Sequence, residues 1–288
     1  MRYLTSGCWR VSSEGRTHSA QLARCPMPRT VKIVHIKPGN LQEHGFFCYK
    51  SKRDSPGHRQ KTTWVSEGFS HGLTIKILCE NGRQLGFIEY VPGEFTWRAV
   101  RAPDYLVIHC LWVIGSGKGN GYGSRLISES VKDARRSGKS GVAMVTSSKT
   151  WLAGSPLLLA DGFEVVDRAP PCFKLLVKLF GDVRPPSFPS NWVQRQAAFG
   201  PGLTIVRSSQ CPYIEATVQM ALQTAKERGL NPRVVELTSS RQARAISPTA
   251  YGVFAIVYDG ELLTYHPLGK KNLVQLLDEH EHKAAAYR

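Results

Sequence analysis

Gly115–Leu126 reads GSGKGNGYGSRL. Before it runs an apolar stretch, YLVIHCLWVI (Tyr105–Ile114), with the composition of a buried central strand. After it, Leu126, Ile127, Val131 and Ala134 fall at helical spacing between Tyr122 and Ser137, and Ser137-Gly138 supplies the stop. The loop therefore joins a strand to a helix N-terminus. Glycines there let the backbone approach a ligand closely. The first amides of the helix have no partner within it, and its dipole favours negative charge. A diphosphate suits this chemistry, and Lys118 adds a point charge.

Two familiar phosphate loops do not fit. A P-loop ending in Gly138-Lys139-Ser140 requires glycine at 133, where the chain has Asp133. A dinucleotide GxGxxG started from Gly119 and Gly121 meets Ser124, and one started from Gly117 and Gly119 meets Tyr122.

Working outward, TVKIVHI from Thr30 alternates like a strand, and Thr62–Ser70 reads as helical. LTIKILC and RQLGFIEYV flank Asn81-Gly82, a strong hairpin signal. GVAMVTS, FEVVDRA and FKLLVKLF are further strands, with a short helix ending at Gly162 between the first two. The Pro-rich stretch GDVRPPSFPS (Gly181–Ser190) marks a boundary. Beyond it come strand Leu203–Arg207, helix Pro212–Glu227, strand Pro232–Leu237, helix Ser240–Ala245, strand Tyr251–Tyr258, strand Glu261–His266 and helix Lys270–His280, in the order βαβαββα.

Lys118, Gly121 and Gly123 in this context resemble the acetyl-CoA loop of the GCN5-related N-acetyltransferases (GNAT), [RQ]xxGx[GA], with lysine in place of Arg or Gln. The order of hairpin, strand, loop, helix, strand and helix, with DGFEVV after the last helix, is similar to that family over residues 30–180. The resemblance implies an α/β (α+β) fold with a mixed sheet flanked by helices. It also implies acetyl-CoA as cosubstrate and transfer of its acetyl group to a primary amine. Lys118, Gly119, Asn120, Gly121, Tyr122 and Gly123 would then cradle the diphosphate. The central strand would splay from its neighbour, and the backbone of Trp112, Val113 and Ile114 would face the pantetheine and the acetyl carbonyl.

Attack of an amine on a thioester needs a route for the amine proton, donors for the developing oxyanion and an acid for the departing thiolate. Glu89, in an otherwise apolar strand, is the first candidate base, because an acid buried there without a partner would be costly. His109 is the second, on the face opposite Cys110 if alternation holds; Glu94 is a third. Many family members place an acidic tyrosine where this chain has Leu158, so the acid role is open between Ser147, Ser148 and water. Cys110 beside a thioester also raises a covalent route, against which stands its ordinary use as a small buried hydrophobe.

The tail resembles the thioredoxin/glutaredoxin fold, with Cys211-Pro212-Tyr213 at its first helix and Ile214 where a second cysteine would stand. Only monothiol chemistry survives, on the expectation that a helix N-terminus depresses the Cys211 pKa. The alternative activity is thus a monothiol redox or thiol-binding module with acyl-CoA as a regulatory ligand. The competing view makes the tail a scaffold that shapes the substrate cleft or a homodimer contact. An acetyltransferase with such a tail, and the segments GFIEYVPGEFTWRAV, IHCLWV and YGVFAIVYDG, are similar to the YoaP-like acetyltransferases. The expected organisation is a basic extension over 1–29, a GNAT domain over 30–180, a linker over 181–201 and a thioredoxin-like domain over 202–288.

Bulk composition fits this reading. The chain has 288 residues, 42% hydrophobic and 21% charged, with formal charge +16. Up to Lys61 there are twelve Lys/Arg against three Asp/Glu. No helix-turn-helix, RNA-binding aromatic signature or zinc spacing accompanies the charge, so nucleic acid is not an expected partner. The acceptor is expected to be a small-molecule amine, because the sequence implies no extended acidic or peptide-like groove; a protein amine is the alternative. Seven widely spaced cysteines without a CxxC argue against a disulfide scaffold or a metal site. No apolar run reaches the roughly 18 residues of a membrane span, and a soluble, cytoplasmic protein is expected. The arginine-rich first 29 residues would also suit a mitochondrial presequence.

Overall fold

The computed structural model describes residues 30–148 and 152–286. The expected basic extension, and with it the mitochondrial alternative, lies outside the described residues. The chain runs β1 (Val31–Ile36), α1 (Leu41–His44), α2 (Pro56–Phe69), β2 (Thr74–Glu80), β3 (Arg83–Pro92), β4 (Tyr105–Val113), α3 (Tyr122–Arg136), β5 (Gly141–Ser147), α4 (Ser155–Ala160), β6 (Glu164–Ala169) and β7 (Phe173–Leu179). Then follow α5 (Trp192–Ala197), β8 (Leu203–Arg207), α6 (Ile214–Glu227), β9 (Arg233–Glu236), α7 (Ser240–Ile246), β10 (Phe254–Tyr258), β11 (Glu261–Thr264) and α8 (Lys270–Ala286). Among the described residues, no helix is long and apolar enough to cross a membrane.

β1 to β7 form one seven-stranded mixed sheet in the order β1-β2-β3-β4-β5-β7-β6, and β8 to β11 form a four-stranded sheet in the order β11-β10-β8-β9. The hairpin read at Asn81-Gly82 is present, with φ of 49° and 80° at its two residues. Both lie in the left-handed region, which matches the turn to the twist of β2 and β3. In the large sheet β4 and β5 are parallel, joined by α3 as the crossover. β5 is buried along its whole length, GVAMVTS. One face meets the α3 and α4 side, where Met144 packs with Leu126, Ile127 and Leu158. The other meets the C-terminal half, where Ala143 and Val145 share an apolar cluster with Leu203, Ile205, Phe254 and Ile256. A strand covered on both faces has no polar side to show, hence the apolar run of Gly141–Val145.

The two sheets are thus joined through a common core. Phe188 and Trp192, within the segment read as a linker, are buried in that core, and Arg101 bridges to Ser187 by two backbone bonds of 2.8 and 3.0 Å. Two glycines mark where the halves touch. A Cβ on Gly57 of α2 would lie 2.2 Å from the Pro212 carbonyl, and one on Gly252 would lie 1.9 Å from the Trp97 carbonyl.

Gly252 also holds φ of +67°. Gly252→Val should therefore cost more than about 2 kcal/mol, a fall in melting temperature of roughly 5 °C or more. Gly39→Ala, where an added Cβ meets nothing within 4 Å, should change stability by less than about 0.5 kcal/mol. Equal melting temperatures for the two variants would contradict the packing described.

Candidate active site

β3 and β4 pair in register from Val91↔Val107 to Tyr90↔Ile108, and then Glu89 faces Cys110. One residue, His109, is extra on β4: a β-bulge. The consequence appears on the other edge of the strand. β4 pairs with β5 only from Tyr105↔Gly141 to Ile108↔Met144, although β4 runs on to Val113 and β5 to Ser147. From the bulge onward the two strands part. The Ile114 amide bonds to the Leu85 carbonyl at 2.9 Å, which aims it at β3. Alternation then turns the Val113 amide to the opposite edge, into the gap. Of the three residues read for this role, Val113 offers its amide to the gap and Ile114 does not, while Trp112 projects a side chain that is 53% exposed.

At the end of β4 lies the glycine loop. Gly119 and Gly121 hold φ of 79° and 71°, and Gly121 caps α3 without a side-chain bond to the first-turn amides. A Cβ at Gly115, Gly119 or Gly121 would meet nothing within 4 Å, so the surface over this backbone is open. The Gly123 and Ser124 amides belong to that first turn, where no intrahelical acceptor exists. Lys118 reaches across the Trp112 ring, 5.9 Å from its centroid. Asn120 braces the loop from within, donating Nδ2 to the Gly117 and Lys118 carbonyls at 3.3 Å. Tyr122 is buried as a pillar, its hydroxyl on Glu80 at 2.5 Å. The cradle fits a diphosphate through Lys118 and the backbone of residues 119–124. The Asn120 and Tyr122 side chains hold it in shape.

On the other side of β4 a cavity of about 610 Å³ opens between the two halves of the chain. Phe87, Glu89, His109, Cys110 and Trp112 line it from the sheet, Cys48, Tyr49 and Lys61 from the α1–α2 side, and Gln210, Cys211, Tyr213 and Tyr251 from the C-terminal half. The sequence expectation that His109 and Cys110 face opposite ways is corrected here. The bulge breaks the alternation, and both reach the cavity.

Glu89 lines this cavity at 1% exposure. Lys61 Nζ donates to its Oε2 at 2.5 Å, and Gln210 Nε2 to its Oε1 at 3.0 Å. Burial pushes the carboxyl up, but the Lys61 ammonium and the bonds from His109 and Lys61 outweigh it and hold the group down at about 2. His109 Nε2 accepts from the Trp97 amide at 3.1 Å. That bond places the imidazole proton on Nδ1, 3.5 Å from Glu89 Oε1. Burial keeps the ring neutral, with its pKa lowered to about 4. The only lone pair on this ring is therefore already engaged, and His109 has none free to take a proton from an amine. Arg98, 2% exposed, ties the halves together: its Nη1 donates to Gln210 Oε1 at 2.8 Å and to the Tyr251 carbonyl at 2.9 Å, and its Nη2 to the His109 carbonyl.

Cys211 sits in the cavity wall before α6, which begins at Ile214. The expectation of a depressed pKa does not hold. Burial raises it, and the bond from the Tyr213 amide only partly offsets this. Burial likewise pushes Cys110 up to about 12. Neither thiol is poised as a thiolate. Glu94 lies away from this cavity, accepting from the Asp104 amide at 2.8 Å. Leu158 is fully buried in α4. Ser147 Oγ lies 3.0 Å from Tyr265 Oη and 3.2 Å from Cys172 Sγ, at the end of β5.

The sequence reading did not single out Lys61, Arg98, Gln210 or Tyr251. For Lys61 a signal existed: α2 buries Gly57, Lys61, Trp64 and Val65, so a lysine stands at i+4 on the inward stripe, where it requires a partner. The other three reach the site through contacts between the two halves, and no local pattern announces those.

Both titrations carry a sign. Where acid lowers pH from 6.5 toward 4, the unfolded chain binds a proton at His109 that the folded chain refuses, so stability falls. From 4.5 toward 2 the same holds for Glu89, whose paired carboxylate favours the folded state at higher pH. Each arm amounts to about 3 kcal/mol at full extent. Urea unfolding across pH should show stability falling through both windows. His109→Gln, which keeps an acceptor for the Trp97 amide, should flatten the upper one. An unchanged slope there would mean that His109 titrates normally in the folded chain.

Residues 40–150 match the acetyltransferase (GNAT) family model. A curated relative, the "uncharacterized N-acetyltransferase YoaP" of Bacillus subtilis, is 26% identical over 249 residues, covering 85% of this chain and 98% of that protein. Among solved structures, a GNAT family acetyltransferase from Brucella melitensis in complex with acetyl-CoA is 17% identical with TM-score 0.38, covering 54% of this chain and 92% of that one. A putative acetyltransferase from Acinetobacter baylyi is 14% identical with TM-score 0.40, covering 53% and 94%. Over residues 40–150 the chain is thus similar to the acetyltransferases of the GNAT family, and over most of its length to YoaP.

Proposed function

We propose that the chain moves the acetyl group of acetyl-CoA onto the primary amine of a small molecule held in the cavity between its two halves. The observation that carries this reading is the position of β4. Its end feeds the open glycine loop, its free edge faces the gap left by β5, and its side chains line the cavity. A single strand thus places a diphosphate cradle and an acceptor chamber on either side of one opening. The chamber is bounded by the C-terminal half, which supports a small acceptor over a protein segment.

Acetyl-CoA supplies the activated acyl group. In this reading Lys118 and the backbone of residues 119–124 hold its diphosphate, and the Val113 amide offers a donor where negative charge develops on the carbonyl oxygen. Glu89 stays ionised and is a weak base, so we assign it to orient the amine and to stabilise the positive charge that grows on nitrogen during attack. His109 is a positioning residue, holding Glu89 on one side and the Trp97 backbone on the other. Solvent takes the proton that the amine loses on attack, and Ser147, Ser148 and solvent are the routes left for returning one to the thiolate.

The C-terminal half supports the thioredoxin-like reading through its order β9-β8-β10-β11, with β8 and β9 parallel and β10 and β11 antiparallel to their neighbours. We divide the chain into the acetyltransferase unit at 30–180, the segment 181–201 and this unit at 202–288. Its role here is to wall the acceptor chamber with Gln210, Cys211, Tyr213 and Tyr251.

Release of free CoA thiol across a panel of small amines tests the reading. Gly121→Asp should raise the KM for acetyl-CoA on the order of 100-fold, about 3 kcal/mol. Glu89→Gln should lower kcat on the order of 10- to 100-fold with less effect on that KM. Cys211→Ser should retain activity within about threefold. Loss of activity in Cys211→Ser together with full activity in Gly121→Asp would overturn the proposal.

A further inference from the structure

A second cleft, of about 370 Å³, lies outside the cavity and the glycine loop. Gly93, Glu94 and the stretch 99–103, all between β3 and β4, form one wall, α5 with Pro189 a second, and α7 a third. Arg101, Arg195, Arg241 and Arg244 line it, against one acid, Glu94. Glu94 is itself engaged, with the Asp104 amide at 2.8 Å and Lys139 Nζ at 3.8 Å. Among the described residues, none of the four arginines has a carboxylate within 4.0 Å.

Two of the four are built into place. Arg195 donates Nε to Asn191 Oδ1 at 2.9 Å and Nη1 to the Ser247 carbonyl at 3.2 Å, and its guanidinium lies 5.4 Å from the centroid of the Trp192 ring. Arg244 donates Nη1 to the Thr96 carbonyl at 3.1 Å. Arg101 and Arg241 are exposed and form the rim. Their charges bear on the inner pair: burial and Arg101 lower the pKa of Arg195, and burial and Arg241 lower that of Arg244. Chain segments far apart in sequence thus converge four like charges on one concave surface, at an electrostatic cost that a bound anion would remove. Planar guanidinium forks match phosphate oxygens two at a time.

We infer that this cleft binds a small phosphorylated ligand carrying at least two negative charges, independently of acetyl-CoA. The size of the cleft admits a diphosphate with a small attached group. Behind the wall, the Thr96 whose carbonyl holds Arg244 also bonds His109 Nε2 through its hydroxyl, at 3.1 Å, so an occupied cleft would brace the segment that holds His109 and Arg98.

The test is a calorimetric titration of inorganic pyrophosphate into the full chain saturated with CoA, which keeps the glycine loop filled. The expected result is saturable binding at about one site per chain. Arg101→Ala with Arg241→Ala, both exposed positions, should weaken it by about tenfold or more. Arg83→Ala with Lys271→Ala removes the same charge elsewhere and should leave affinity within about twofold, with melting temperatures reporting that both variants are folded. Absence of binding in the presence of CoA, or equal loss in the two double variants, would overturn the inference. So would an RNA oligonucleotide that binds at this cleft and is not displaced by pyrophosphate.

Discussion

β4 carries one residue more than the strand it pairs with, and most of the site follows from that excess. A β-sheet tolerates an extra residue only by bending the bulged strand and interrupting its ladder. Here the interruption falls at His109, immediately after the last pair between β4 and β5. The edge of β4 beyond it is released, and with it a backbone donor at Val113. The bulge also turns His109 and Cys110 to the same side. A strand in perfect register would have sealed the gap and hidden one of these side chains.

The second constraint is electrostatic. Lys61, Glu89, Gln210 and Arg98 form a chain of bonds from α2 through β3 to the C-terminal half. Ions buried this far repay their desolvation only when fully bonded. Removing any one strands another, which couples the closing of the cavity to the packing of the halves. The same network explains why Glu89 is ionised yet a poor base: the ammonium that makes its burial tolerable also holds its proton affinity down. In the proposed function, chemistry in this cavity therefore rests on orientation and charge stabilisation more than on proton abstraction by the carboxylate.

Much of the scaffold was legible in the sequence because local signals carried it. Asn81-Gly82 between alternating runs gives the β2–β3 hairpin, and the apolar run Gly141–Val145 gives the strand β5. The glycine loop was legible because positive φ at Gly119 and Gly121 leaves few other residue choices. The cavity was legible only in part. Glu89 stood out as an acid among apolar neighbours, and Lys61 stood on the buried stripe of α2 unread. His109 and Cys110 were read onto opposite faces because a bulge has no sequence signature in a run such as YLVIHCLWVI. Cys211 was read as an activated thiol from its place before a helix, and desolvation, a property of the packed halves, reverses that. Arg98, Gln210 and Tyr251 act across a contact between distant segments, which no window of sequence contains.

In the proposed function the cosubstrate enters by the glycine loop and its thioester passes through the opening between β4 and β5 to the cavity. A crystal structure of the full chain with CoA tests it most directly. The expected result is the diphosphate on the amides of residues 119–124 beside Lys118, and the pantetheine arm bonded to the Val113 amide with its sulfur at the gap. A cofactor bound elsewhere, or a gap closed by continued pairing of β4 with β5 beyond Ile108, would contradict it.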